Sequence, residues 1–208
     1  MKKPVADDQV PALSRKEEIL SAAASLFRRQ GFERTSVREI AQALGMTSGS
    51  LFYHFASKED LLVMIMEEGL RAITRSVQQA RDSETQLPER LLAMMRRHLA
   101  ALLGPRLDAM SVLLYEWRSL SPAAQAQMLA LRDAYEDLWT QSLQQAADEG
   151  LIEADVALAR QTLLGALNWS AQWYKPGGRL DIDALAQRMF AMLFPRMAAL
   201  LSQPLAVA

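Results

Sequence analysis

The chain has 208 residues, half of them hydrophobic and 23% charged, which is enough apolar material for one or two compact units and too much for a disordered polymer. Its 23 basic and 24 acidic side chains leave a net charge of −1, so no overall pull toward a polyanion is expected. With no cysteine there is no disulfide, thiolate zinc site or cysteine nucleophile, and a reducing cytoplasm is the natural setting. The start, Met1 to Asp8, lacks the apolar stretch of a secretory signal, and the uncharged runs Gln161 to Tyr174 and Met197 to Ala208 fall short of a membrane span, so no membrane partner is expected.

Taken in chain order, residues 1–13 read as a disordered arm, its Lys2 and Lys3 either a minor-groove arm or a solubilising tail. Ser14-Arg15-Lys16-Glu17 is a capping box opening a first helix, with Ile19, Ala23, Leu26 and Phe27 on one face and Gly31 as its stop. Ser36-Val37-Arg38-Glu39 repeats the box for a short helix that places Val37, Ile40, Ala41 and Leu44 together and ends at Gly45. A third helix starts at Thr47 and carries Leu51 and Phe55. Ser57-Lys58-Glu59-Asp60 opens a long fourth with Leu61, Leu62, Ile65 and Met66.

No proline interrupts the chain from Pro11 to Pro88 or from Pro122 to Pro176, and β-branched residues are sparse, so the remainder also reads as helix. The spacing predicts helices from about Pro88 to Leu103, Arg106 to Ser119, Ser121 to Gly150, Asp155 to Tyr174, and Asp181 to Ser202 with a kink at Pro195. The predicted fold is all-α with about nine helices. An N-terminal helix-turn-helix domain (14–60, core 35–55) precedes a helical ligand-binding and dimerisation domain (61–203).

Residues 35–55, TSVREIAQALGMTSGSLFYHF, have helix-turn-helix spacing: a short amphipathic helix, a glycine turn, and a second helix three residues on. That geometry turns Ser48, Gly49, Ser50, Phe52, Tyr53 and His54 outward, short polar groups first and aromatic ones later, as major-groove entry demands. Ser14 to Lys58 carries seven basic and four acidic residues, a local charge of +3. Many α-helical proteins contain the same pattern without touching DNA, and periodicity alone leaves both open.

The run AAASLFRRQGFERTSVREIAQALGMTSGSLFYHFASKEDLL resembles the N-terminal domain of TetR-family transcriptional regulators over about 48 residues from Arg15 to Leu62. Leu26-Phe27, Gly31-Phe32, Thr35, Ile40-Ala41, Leu44-Gly45, Gly49, Leu51, Tyr53-His54-Phe55 and Lys58-Glu59-Leu61-Leu62 carry the likeness. It implies a dimeric regulator on a palindromic double-stranded operator, with Thr35 or Ser36 and Thr47 capping helices at phosphates, Tyr53, His54 and Lys58 bonding the DNA backbone, and Arg38 within reach. Ser48 and Phe52 stand where family members often carry lysine and tyrosine, which removes one phosphate charge and one hydroxyl. As surface contacts, Tyr53 and Lys58 are expected to be removable with little effect on stability.

All four tryptophans and nine of the eleven methionines lie at or beyond Met64, a soft collection suited to a pocket for an apolar or amphipathic effector or simply to a core. The candidate ligand contacts are Met94, His98, Tyr115, Arg118, Trp139, Asn168, Trp169 and Trp173. Asn168 to Gly178, NWSAQWYKPGG, resembles a segment of family members that control fatty-acid or sterol catabolism and respond to acyl-CoA thioesters, which puts an acyl-CoA among the candidate effectors. The alternatives are a multidrug-sensing efflux repressor and a DNA-binding interaction protein that takes no ligand. The family pairs through its last two helices, which makes Leu163, Leu167, Leu185, Met189, Met192 and Leu193 candidates for a homodimer interface. No nucleophile with a base, HExxH or phosphate-cradling glycine loop is present, so neither enzyme activity nor a cofactor or metal is expected.

Overall fold

The computed structural model describes residues 14–104, 107–153 and 155–201, and every regular element among them is helical. Three short helices, α1 (Arg15–Gln30), α2 (Val37–Ala43) and α3 (Ser48–His54), precede the 26-residue α4 (Lys58–Ser83). Both capping boxes form: the Ser14 hydroxyl accepts from the Glu17 N–H while the Glu17 carboxylate accepts from the Ser14 N–H, and Ser36 and Glu39 do the same. These bonds hold the Glu17 and Glu39 carboxyls below the usual carboxylate range, and each cap satisfies backbone donors that the first turn of a helix leaves unpaired.

α5 (Leu87–Leu103) is the centre of the larger unit, covered by α4, α7, α8, α9 and α10. Its Leu91, Met94, Met95, Leu99 and Leu102 are all fully buried, more than one helical face would supply, because neighbours pack on several sides. α6 (Leu107–Tyr115) lies across α1 and α4 and ends in a 3₁₀ turn at Trp117–Ser119; α7 (Pro122–Asp148) and α8 (Val156–Trp173) follow. The predicted kink at Pro195 is a break, which gives ten α-helices among the described residues in place of about nine. Proline has no N–H to donate and excludes the helical conformation at the residue before it, so Phe194 leaves the helix (φ −133°, ψ 62°) and separates α9 (Ile182–Leu193) from α10 (Pro195–Leu201). The expected arm over residues 1–13 lies outside the described residues. Among those described, no helix is long and apolar enough to cross a membrane.

Candidate functional site

The α2–turn–α3 unit is held from beneath. Ile40, Ala41 and Leu51 are buried where α2 packs on α1 and α3, and Gly45 takes the left-handed backbone (φ 63°) that reverses the chain between the two helices. The Thr47 hydroxyl caps α3 by accepting from the Ser50 N–H at 3.1 Å and also lies 3.0 Å from the Ser50 hydroxyl. With Leu51 inward, Gly49, Ser50, Phe52, Tyr53 and His54 are exposed and Ser48 is half-buried; Tyr53 is 88% accessible. Ser36 and Arg38 are exposed at the start of α2, so the exposed groups of α2 and α3 include hydroxyls, two aromatic rings, an imidazole and a guanidinium.

Two residues expected on that face serve the fold instead. Thr35 is 1% exposed, and its hydroxyl donates to the Gly31 carbonyl at 2.8 Å, closing the loop after α1. The Lys58 ammonium donates to the carbonyls of Phe32 at 2.8 Å and Thr35 at 3.0 Å and sits 4.1 Å from the Phe32 ring centroid. It is a clamp between α4 and the α1–α2 loop, because a buried turn leaves carbonyls that need a donor.

The same loop is wired to the larger unit through groups that look in sequence like ordinary surface charges. The Glu116 carboxylate accepts from the Phe32 N–H at 3.2 Å and from the Ser119 hydroxyl at 2.7 Å, Arg28 of α1 pairs with Asp108 of α6 at 2.7 Å, and Glu59 of α4 accepts from the Ser121 N–H at the start of α7 at 2.7 Å. The Glu59 carboxyl is held low by these bonds from Ser121. None of these links has a periodicity that marks it.

Of the residues expected around an effector, Met94, His98 and Trp139 are packed into the core: Met94 and Trp139 are fully buried and His98 is 2% exposed. The His98 imidazole spans three helices, from α5 to the Tyr135 hydroxyl of α7 through Nδ1 and to the Asn168 amide oxygen of α8 through Nε2 at 3.1 Å. Asn168 Oδ1 only accepts, so Nε2 carries the proton and Nδ1 accepts the Tyr135 O–H. Burial pushes the His98 pKa down to about 4 and raises that of Tyr135, so both stay neutral. Tyr135 was not among the expected residues; its spacing on α7 is that of any core tyrosine. Tyr115 is exposed and accepts from Gln172, Arg118 is exposed, and Trp169 and Trp173 face outward from α8, Trp169 at 66%.

The expected dimer residues divide. Leu163, Leu167 and Leu185 are buried within their own chain, because α8 packs on α7 and α5 and α9 packs on α5. Met189 and Leu193 are half-buried, while Met192 is 82% exposed. The apolar groups left outward on these two helices are Leu158, Trp169, Trp173 and Met192.

Comparison with known proteins assigns both units. Residues 19–65 match the family model for bacterial regulatory proteins of the tetR family, and residues 84–197 match that for the tetracyclin repressor-like C-terminal domain. The HTH-type transcriptional repressor KstR2 of Mycolicibacterium smegmatis is 30% identical over 185 residues, covering 86% of this chain and 89% of that one. Among solved structures, AibR in complex with isovaleryl coenzyme A and operator DNA is 33% identical with a TM-score of 0.82, covering 88% of this chain and 99% of that one. The superantigen PfiT is 42% identical with a TM-score of 0.73, covering 90% and 97%.

Proposed function

The chain belongs to the tetR family of bacterial transcriptional regulators, and from that premise we propose that it is a dimeric cytoplasmic repressor released from a palindromic operator by an acyl-CoA thioester. The outward face of α3 carries the DNA-binding half of this reading. Hydroxyls at Thr47, Ser48 and Ser50, the bare backbone at Gly49 and the protruding Tyr53 form a shallow, nearly uncharged ridge of major-groove size on a buried base. Ser36 and Arg38 at the start of α2 and His54 at the end of α3 flank it as candidate phosphate contacts.

Two such ridges read a palindrome only when their spacing is fixed, which a second copy supplies. The outward group Leu158, Trp169, Trp173 and Met192 is the apolar face available to it. The likeness to AibR, whose structure holds isovaleryl coenzyme A together with operator DNA, supports an acyl-CoA effector, as does the relationship to KstR2. Any effector that shifts α6 or α7 pulls on the Asp108–Arg28, Glu116–Phe32 and Glu59–Ser121 links and so changes how α1 and α4 hold the α2–α3 unit.

The test is a gel shift on the DNA upstream of this protein's own gene, with and without acyl-CoA thioesters, at low and moderate salt. Binding abolished by a thioester and untouched by free CoA is the expected result. Binding that only unrelated cationic or aromatic compounds disturb would replace the acyl-CoA sensor with a drug sensor. Binding that nothing disturbs would leave a repressor without an effector.

A further inference from the structure

Of the six phenylalanines in the chain, Phe27, Phe32, Phe55, Phe190 and Phe194 are buried, and Phe52 on α3 is 50% exposed. Its neighbours pair among themselves: the Tyr53 and His54 rings meet edge to face, and His54 leans on Phe55. The exposed half of the Phe52 ring contributes nothing to the fold, so the surface that would cover it belongs to another molecule.

The polar groups around Phe52 narrow what that surface is. α3, SGSLFYH, carries no lysine, arginine, asparagine or glutamine. The Lys58 ammonium is spent on the Phe32 and Thr35 carbonyls, and the Thr47 and Ser50 hydroxyls bond each other while Thr47 caps the helix. Bidentate reading of guanine takes arginine or lysine and that of adenine takes asparagine or glutamine, so α3 can make neither. What it offers a base edge is an apolar ring. An aromatic side chain on a helix leans back over the residues three and four positions before it, here Gly49 and Ser48. The first has no side chain and the second a short one, so little stands between the ring and the floor of a groove. In the major groove the one methyl group on any base edge is that of thymine.

We propose that Phe52 is a specificity-determining residue of the operator complex. Its ring packs on a thymine methyl in each half-site, and the operator is selected at that position by a methyl group and not by a hydrogen bond. The proposal rests on the reading that α3 enters the major groove, and adds to it the base that lies under Phe52.

The operator is first bounded by footprinting on the DNA upstream of this protein's own gene. Its thymines are then replaced by deoxyuridine, one symmetric pair of positions at a time, which removes the methyl and keeps every hydrogen-bonding group. Affinity is measured by fluorescence anisotropy for the wild type, Phe52→Ala and Phe52→Leu. The wild type should lose about tenfold at one symmetric pair, the loss of one buried methyl contact in each of two half-sites. At that pair Phe52→Ala should bind thymine and deoxyuridine operators alike, and Phe52→Leu, still apolar, should keep part of the preference. A wild type indifferent to every replacement overturns the methyl contact and leaves α3 in the groove if Tyr53→Ala still weakens binding. A methyl that matters equally to the wild type and to Phe52→Ala overturns Phe52 as its reader. Wild-type affinity in both Phe52→Ala and Tyr53→Ala overturns the placement of α3 as well. The replacement series on the wild type decides the methyl contact even where a variant does not fold.

Discussion

Tyr53 and Lys58 lie five residues apart in a segment that reads as one DNA-contacting surface, yet their environments are opposite. Tyr53 touches little of its own protein and is 88% exposed, so Tyr53→Ala should weaken operator binding at an unchanged melting temperature. Lys58→Ala leaves the Phe32 and Thr35 carbonyls without their donor and uncovers the Phe32 ring, and should cost about 1–3 kcal/mol of stability. Thermal melts beside gel shifts separate the two, and a Lys58→Ala protein of wild-type stability would contradict the clamp. His98 gives a second residue-scale test. Its folded pKa of about 4 lies below the unfolded 6.5, so the unfolded chain binds a proton that the folded chain refuses. Stability is therefore full above about pH 6.5 and declines as pH falls toward 4. The groups facing His98 are the neutral Tyr135, Trp139 and Asn168, so no carboxylate offsets this. Urea titrations should show about 2 kcal/mol lost between pH 7 and pH 5, and His98→Gln should flatten that slope.

At the scale of elements, α3 shows how a helix of seven residues serves binding at the expense of its own stability. Gly49 sits in ordinary helical backbone with the Thr47 hydroxyl oxygen 3.8 Å from where a Cβ would stand, so nothing in the fold requires glycine there. Gly49→Ala should stabilise the helix by up to about 1 kcal/mol and still weaken operator binding, because the added methyl stands on the surface that must approach a base edge. Operator affinity equal to or above that of the wild type would remove α3 from the groove. The starts of α1 to α4, each fixed by a serine or threonine cap, are legible in sequence because capping is local chemistry. The break at Pro195 is half-legible: proline announces a disturbance, but whether it kinks or separates two helices depends on what packs around Phe194, here buried against the core.

For the whole molecule, the unpartnered apolar face of α8 and α9 makes a prediction about assembly. Trp169→Glu should yield a monomer with wild-type helicity by circular dichroism, measured by sedimentation, that no longer holds a palindromic operator. A dimer that survives this change and Met192→Glu together would move the interface elsewhere. The sequence alone determined the helical class, the helix starts, the recognition unit and the resemblance to TetR-family regulators, because all of these rest on residues within about one helical turn of each other or on a contiguous motif. The resemblance placed Thr35 and Lys58 on the DNA face, and Leu163, Leu167 and Leu185 between subunits, because a matching motif reports which positions correspond and not what each side chain meets in this fold. Only the tertiary structure decided that α8 packs on α7 and α5 and α9 on α5, and that Met94, His98 and Trp139 are buried in the core. Those outcomes depend on contacts between residues dozens of positions apart, and no local pattern encodes the partner.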